Sequence, residues 1–257
     1  FTAEYGAYVS HRWQESDIPG AYLPVAAPPL LTAEQVMRRG FRATAVDAWL
    51  RFTRQWMRLE IEAAVLIGEI EQASLIPGVL LEETVESLQV GVAFESDFGD
   101  PDSVLHGGLD AGYASGDPAP GFGVAPGVTD AAPKPGDLDG AQAIPGRDSR
   151  VDNFRFHSDY RIDRILFREI LGTVTDAIYL RPHLDWRIAE IGPGALRAQV
   201  ALVASFAVEP GSTPGGKQPL GVEFDPTLDY TTRDGFSFGI DYAVLFPLGG
   251  LSNPLLQ

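Results

Sequence analysis

Apolar and polar residues alternate with a period of two along most of the 257-residue chain. Successive side chains of a strand point to opposite sides, so each alternating segment divides into two faces. Residues 44 to 53 put Val46, Ala48, Leu50 and Phe52 on one face and Asp47, Trp49, Arg51 and Thr53 on the other. The next segment opposes Leu59, Ile61, Ala63, Val65 and Ile67 to Arg58, Glu60 and Glu62. Residues 176 to 190 set Ile178, Leu180, Pro182, Leu184, Trp186 and Ile188 against Tyr179, Arg181, His183, Asp185 and Arg187. With the same alternation near 2–13, 86–97, 103–115, 195–208, 219–231 and 235–247, the pattern predicts nine strands. Most are longer than the roughly 5–6 residues usual in soluble sheets and match the roughly 9–11 residues that cross a bilayer at a tilt.

The connections alternate between short and long. Short ones fall at 54–57, 98–102, 191–194 and 232–234, long ones at 14–43, 71–85, 116–175 and 209–218. Short turns opposite long loops are expected of outer-membrane barrels. The regularity requires that 116–175 make no net crossing. Its second half has two readings. Asp163 to Leu171 (DRILFREIL) has the spacing of a short helix over 163–171, folded across the mouth or into the lumen as a plug. Alternatively, Asn153 to Asp163 is a further strand, in which Phe154, Phe156, Tyr160 and Ile162 alternate with Arg155, His157, Asp159, Arg161 and Asp163.

Alternation alone does not say which face is inside, because a soluble β-sandwich or lipocalin-like barrel alternates too. Three features favour a membrane wall: apolar faces continuous for several positions, long strands, and aromatics near strand ends such as Trp13, Trp56, Phe98 and Phe246. The expected fold is therefore an all-β, antiparallel transmembrane β-barrel of the outer membrane. It is read as one domain over 1–257, incomplete at both ends and part of a larger barrel, since an open sheet edge cannot face lipid.

Composition narrows the reading. The chain has 28 Gly and 20 Pro, in keeping with many turns, and no Cys, which removes disulfides and thiolate metal sites. No apolar run reaches the roughly 18 residues of a membrane-spanning helix. A formal charge of −16, with Lys134 and Lys217 as the lysines, argues against nucleic acid as a partner. The expected partners are outer-membrane lipid and proteins of an envelope complex, with oligomeric state open and no cofactor implied.

Longer strings carry a resemblance. ATAVDAWLRF with RLEIEAAVLIGEIE, FESDFGDPD with GYASGDPAPGFG, FRFHSDYRIDRILFREILGTVTDAIYLRP, and STPGGKQPLGVEFDPTLDY with DGFSFGIDYAVLFPLGGLSNP resemble an uncharacterised family of myxobacterial outer-membrane proteins. The resemblance implies an outer-membrane location, strands before Phe1 and after Gln257, and no catalytic residues. Similarity to alginate-export porins is architectural only.

Candidate chemistry is confined to the polar faces. Arg51, Arg58, Glu60, Glu62, Arg181, His183, Asp185, Arg187 and Arg197 are the expected lumen-facing residues, either a selectivity ring or mutually paired charges. Arg155, His157, Asp159 and Arg161 are the candidates on the loop or plug. His157 with Asp159, and His183 with Asp185, have the types of an acid–base fragment, but no serine nucleophile motif accompanies them, and a charge-satisfying network is the simpler reading. Glu95, Asp97, Asp100 and Asp102, and Asp137 with Asp139, lack a metal-loop spacing and read as solvated loop charge. Gly-rich DAGYASGD and PGFGVAPG lack the context of a phosphate loop. The expected function is a porin or export channel with a charged lumen for ions, small solutes or polysaccharide. The alternative is a structural, plugged barrel serving as an anchor or subunit of an envelope complex.

Overall fold

The computed structural model describes residues 1–17, 36–72, 84–100, 103–118 and 150–252. The chain is all-β and forms one antiparallel sheet. Among the described residues its ten strands are β1 (Thr2–Asp17), β2 (Met37–Arg54), β3 (Met57–Ile70), β4 (Val85–Phe98), β5 (Leu105–Ala114), β6 (Ala177–Ile191), β7 (Gly194–Ala207), β8 (Pro219–Thr232), β9 (Ser237–Asp241) and β10 (Val244–Pro247). Each strand pairs with its neighbour in sequence up to β8, against which both β9 and β10 lie. The sheet is open: among the described residues the outer edges of β1 and of β9 and β10 pair with no strand.

Ten strands replace the nine expected because the last alternating segment is interrupted. Thr227 pairs with Asp241 and Phe224 with Val244, so the register is the same on both sides of the break. Opposite the gap stands Pro226, which has no N–H to give the ladder, and only its carbonyl is used, by the Tyr242 amide at 3.0 Å. The turns β2–β3, β4–β5, β6–β7 and β8–β9 lie at one end of the sheet and the long connections at the other. At the tight β6–β7 turn Gly192 adopts a φ of 57°, the left-handed backbone that glycine takes without steric cost.

Register keeps the two faces apart across the whole sheet. One row of partners runs Tyr5, Leu50, Ile61, Phe94, Ala111, Leu180, Ala204, Val222, Phe246, one residue per strand and apolar throughout. A row on the other face runs His106, Asp185, Gln199, Thr227, Asp241. The apolar face is the exposed one: Leu50, Ile61, Leu180, Leu184, Trp186 and Phe246 are each 44–57% accessible. The polar face is the covered one on β5, β6 and β8, where Asp110, Asp185, Glu223 and Asp225 are buried. This is the reverse of a water-soluble sheet, whose apolar face is its core.

The polar face turns apolar near the end that carries the long connections. There Tyr179, Val203, Ala207 and Leu220 are buried beneath Ile162, Leu166 and Phe167 of the β5–β6 connection. Covering three such side chains contributes roughly 1.5–3 kcal/mol each. Two glycines let the aromatics lie flat: a Cβ at Gly112 would overlap the Tyr179 ring, and one at Gly91 would overlap Phe154. Gly112→Ala is expected to displace Tyr179 and lower stability by about 1–3 kcal/mol. Urea unfolding checks this, and an unchanged midpoint would show that the ring has room to move.

Candidate functional site

Residues 150–176 cross the polar face as a strap. The strap begins beside β4, where Val151 donates its amide to the Glu86 carbonyl at 2.9 Å and the Asp152 carboxylate accepts the Leu88 amide at 2.8 Å. It is not a strand of the sheet and makes only isolated bridges, at Arg150 to Glu86 and Arg155 to Thr175. Phe156 stacks on Tyr160 with ring centres 5.0 Å apart, and the Tyr160 and Tyr179 hydroxyls meet at 2.5 Å. Burial pushes the Tyr160 hydroxyl up to about 12, so it stays protonated as a hydrogen-bonding group. Where the sequence spacing allowed a helix over 163–171, the strap makes one π-helical turn, Leu166–Ile170.

Two carboxylates hold this turn through main-chain amides. Glu223, on the polar face of β8 and 1% exposed, accepts the consecutive amides of Arg164 (2.9 Å), Ile165 (2.7 Å) and Leu166 (3.0 Å). Asp163 accepts those of Phe167 (2.7 Å) and Arg168 (3.1 Å). Three amides converging on one buried carboxylate leave no orphan charge and no orphan donor. Next along the chain, Asp176 stands at a φ of 46° and accepts the Glu209 amide at 2.8 Å and the Ser212 hydroxyl, tying the β7–β8 connection to the start of β6.

Between strap and sheet lies a cavity of about 320 Å³, bounded by Arg161, Asp163, Arg164 and Arg168 from the strap and by polar-face residues of β4 to β8. A second cavity of about 380 Å³ shares Asp97, Arg161, Arg181 and His183 with it. Much of the surrounding charge is paired across strands. Arg181 reaches Asp110 at 2.5 Å, and Asp185 accepts from Arg197 and Gln199, both at 2.9 Å. His183 Nε2 lies 3.6 Å from Asp110 and 3.8 Å from Asp97.

All nine residues read as lumen candidates stand on strands of this sheet, and the structure sorts them into groups. Arg51 grips Glu60 with two bonds of 2.8 and 2.9 Å, and Arg58 reaches Glu60, Glu95 and Asp97 at 2.5 to 3.3 Å. Arg181, His183 and Asp185 border the cavity, and Arg197 is paired with Asp185. Glu62 is set apart beside Asp47, and Arg187 lies 3.9 Å from Glu190. On the strap, Arg161 borders the cavity, Arg155 bridges to Thr175, and His157 and Asp159 are 3.5 Å apart with both side chains about 80% exposed. Asp102, Asp137, Asp139 and the string PGFGVAPG lie outside the described residues.

Sequence reasoning named Asp163 only as the start of the plug helix or the end of the extra strand, and missed Glu223 and Asp225. The signal was present in GVEFDPT, where Glu223 and Asp225 alternate with Val222 and Phe224 and have no nearby arginine on their own strand. What was not visible is that the strap's backbone would supply the donors. No protein-family model matches the chain, and no curated protein is similar to it.

Glu223→Ala removes the acceptor of three amides, each bond to a charged group being worth roughly 1.5–3 kcal/mol. The strap should then become a trypsin substrate at Arg161, Arg164 and Arg168 while the strands stay resistant, with Glu223→Gln intermediate. Cleavage no faster than in the parent would show that Glu223 does not hold the strap.

Burial pushes the Asp163 carboxyl up to about 6, against the Phe167 and Arg168 amides that favour its ionised form, with the Glu223 charge adding to the rise. Asp176 is likewise pushed up to about 6 by burial. A raised carboxyl contributes stability that is fully present below its unfolded value near 4 and is lost as pH rises through about 6. Strap amides should exchange hydrogen more slowly at pH 5 than at pH 8 after correction for intrinsic rates, by about 1.4 kcal/mol from Asp163, because pH 5 lies about one unit below its folded value. Asp163→Asn should flatten that dependence, and an equally steep profile in the variant would locate its origin elsewhere.

Proposed function

We propose that this sheet is the wall of an outer-membrane β-barrel whose polar face lines a solute pathway narrowed by the strap. The observation that carries this reading is the inverted polarity: an apolar face exposed across nine strands, and buried carboxylates on the polar face at Asp110, Asp185, Glu223 and Asp225. Soluble monomers expose apolar patches of about 300–600 Å² at most, far less than a face nine strands wide. Along β6 the exposed apolar residues run from Ile178 to Ile188, about 33 Å of strand at ~3.3 Å per residue, or ~25 Å in height at a tilt of about 40°. That is the height of the apolar band of outer-membrane barrels.

Aromatics gather toward the two ends of this band, as interfacial girdles do. Trp56, Phe98, Trp186, Phe236 and Phe238 are exposed toward the short-turn end, and Trp13, Phe206 and Phe246 toward the other. In the proposed barrel the free edges of β1 and of β9 and β10 are closed by further strand pairing, because unpaired backbone groups cannot face hydrocarbon. The strings shared in kind with myxobacterial outer-membrane proteins are in keeping with the same location.

The interior function follows from the cross-strand charge pairs. A lining of both signs supports passage of small hydrophilic solutes, with the strap as the constriction, since rings of charge set selectivity at close quarters. Full-length protein in planar bilayers is expected to give stepwise currents, and no current above background from folded protein would remove the channel reading. The buried contacts beneath the strap favour a second reading, a plugged structural barrel. Silent parent protein with currents only in Glu223→Ala would select it.

The lipid-facing assignment has its own test. Leu180→Arg on the apolar face should cost about 2–4 kcal/mol in lipid vesicles, whereas Gln199→Arg on the polar face should cost under ~1 kcal/mol. Equal costs would show that the apolar face does not meet lipid.

A further inference from the structure

The cavity beside the strap has unspent hydrogen-bonding capacity. Three buried side-chain atoms without a hydrogen bond among the described residues, His106 Nδ1, Arg181 Nε and Asp225 Oδ1, belong to residues that border this one cavity, and His106 Nδ1 stands 3.8 Å from Asp185. They come from three different strands, β5, β6 and β8. Asp225 is 7% exposed. Arg161 faces them from the strap and makes no hydrogen bond or ion pair among the described residues. Nearby charges are already committed: Arg164 to Thr227 at 2.8 Å and Asp241 at 2.5 Å, and Asp185 to Arg197 and Gln199.

What remains is an acceptor on one wall and donors on two others. An inorganic anion held by Arg161 and Arg181 would face Asp97 and Asp225, and a bare cation held by Asp225 would face Arg161 and Arg164. An uncharged group that both donates and accepts avoids either repulsion, and a sugar hydroxyl does both. A space of about 320 Å³ is at the lower end of small-molecule sites and suits one or two sugar rings. We infer that this cavity is a saccharide-binding subsite, in which Asp225 Oδ1 accepts from one hydroxyl while Arg181 Nε and Arg161 donate to neighbouring hydroxyl oxygens. The inference rests on the proposed solute pathway and names what passes along it.

The test is calorimetric titration of full-length protein, folded in detergent, with maltose as a neutral probe and with sodium glucuronate and sodium sulfate as charged ones. The expected result is saturable maltose binding, weakened at least tenfold in Asp225→Asn and at least fivefold in Arg161→Ala. His157→Ala, on the exposed part of the strap, should leave binding unchanged. Arg161 is exposed, so its replacement keeps the test valid should Asp225→Asn fail to fold. Binding of glucuronate and sulfate without maltose would overturn the saccharide assignment in favour of an anion site, and no binding of any probe would overturn the subsite. Bilayer recordings made in parallel separate the two levels. Maltose binding without current retains the subsite and removes the pathway, whereas current that maltose neither blocks nor modulates, with no heat of binding, retains the pathway and removes the subsite.

Discussion

Cross-strand register is the constraint on which the rest of this molecule depends. With a side-chain period of two, a slip of one residue between any two strands would carry every charge of one face onto the other. The row from Tyr5 to Phe246 and the row from His106 to Asp241 exist only because no such slip is left uncompensated. The irregularities that do occur, between Gln14 and Ser16, Arg187 and Ala189, and Ser205 and Phe206, sit toward strand ends and leave the central rows intact. Pairing also satisfies the backbone of each inner strand on both sides, so either face is free to take whatever environment its side chains fit.

The alternation therefore made most of the sheet legible in the sequence. Strand positions, the order of short and long connections, and the division of each strand into faces all follow from a local, period-two signal. The interruption near Tyr242 did not, because its cause is Pro226 on the neighbouring strand, and a proline's missing donor matters only once its partner is known. Nor did the strap. Its alternating aromatics, Phe154, Phe156 and Tyr160, suit a strand as well as a covering segment, and what decides is tertiary: Gly91 and Gly112 open space for rings where side chains would otherwise stand. The cross-strand charge pairs were legible as residue types on a shared face. Which arginine met which carboxylate depended on register that no single segment contains.

Charge is handled in two ways on the polar face, and the difference has consequences. Around Arg51, Arg58, Glu60, Glu95 and Asp97 the partners are side chains from adjacent strands, partly exposed, so each pair adds little to stability and mainly fixes where charge stands. Under the strap, Glu223 is fully buried and its partners are main-chain amides, which are rigid, uncharged overall and always present. A buried carboxylate without donors would be strongly unfavourable. Glu223 thus needs the strap as much as the strap needs Glu223.

That mutual dependence explains why the strap can be both fixed and chemically open. An anchor made through side chains would consume the arginines that border the cavity. Anchoring mainly through the amides of residues 164 to 168 spends one arginine side chain on the sheet, Arg164 to Thr227 and Asp241, and leaves Arg161 and Arg168 exposed while Ile162, Leu166 and Phe167 supply the apolar contact that seats the turn. The strap divides the labour by residue: Ile162, Leu166 and Phe167 are buried to hold position, the backbone satisfies Glu223, Arg164 meets Asp241, and Arg161 and Arg168 border the space between. If the polar face lines a solute pathway as proposed, Arg164 is the charge lost to attachment, and Arg161 and Arg168 are the ones left to a solute.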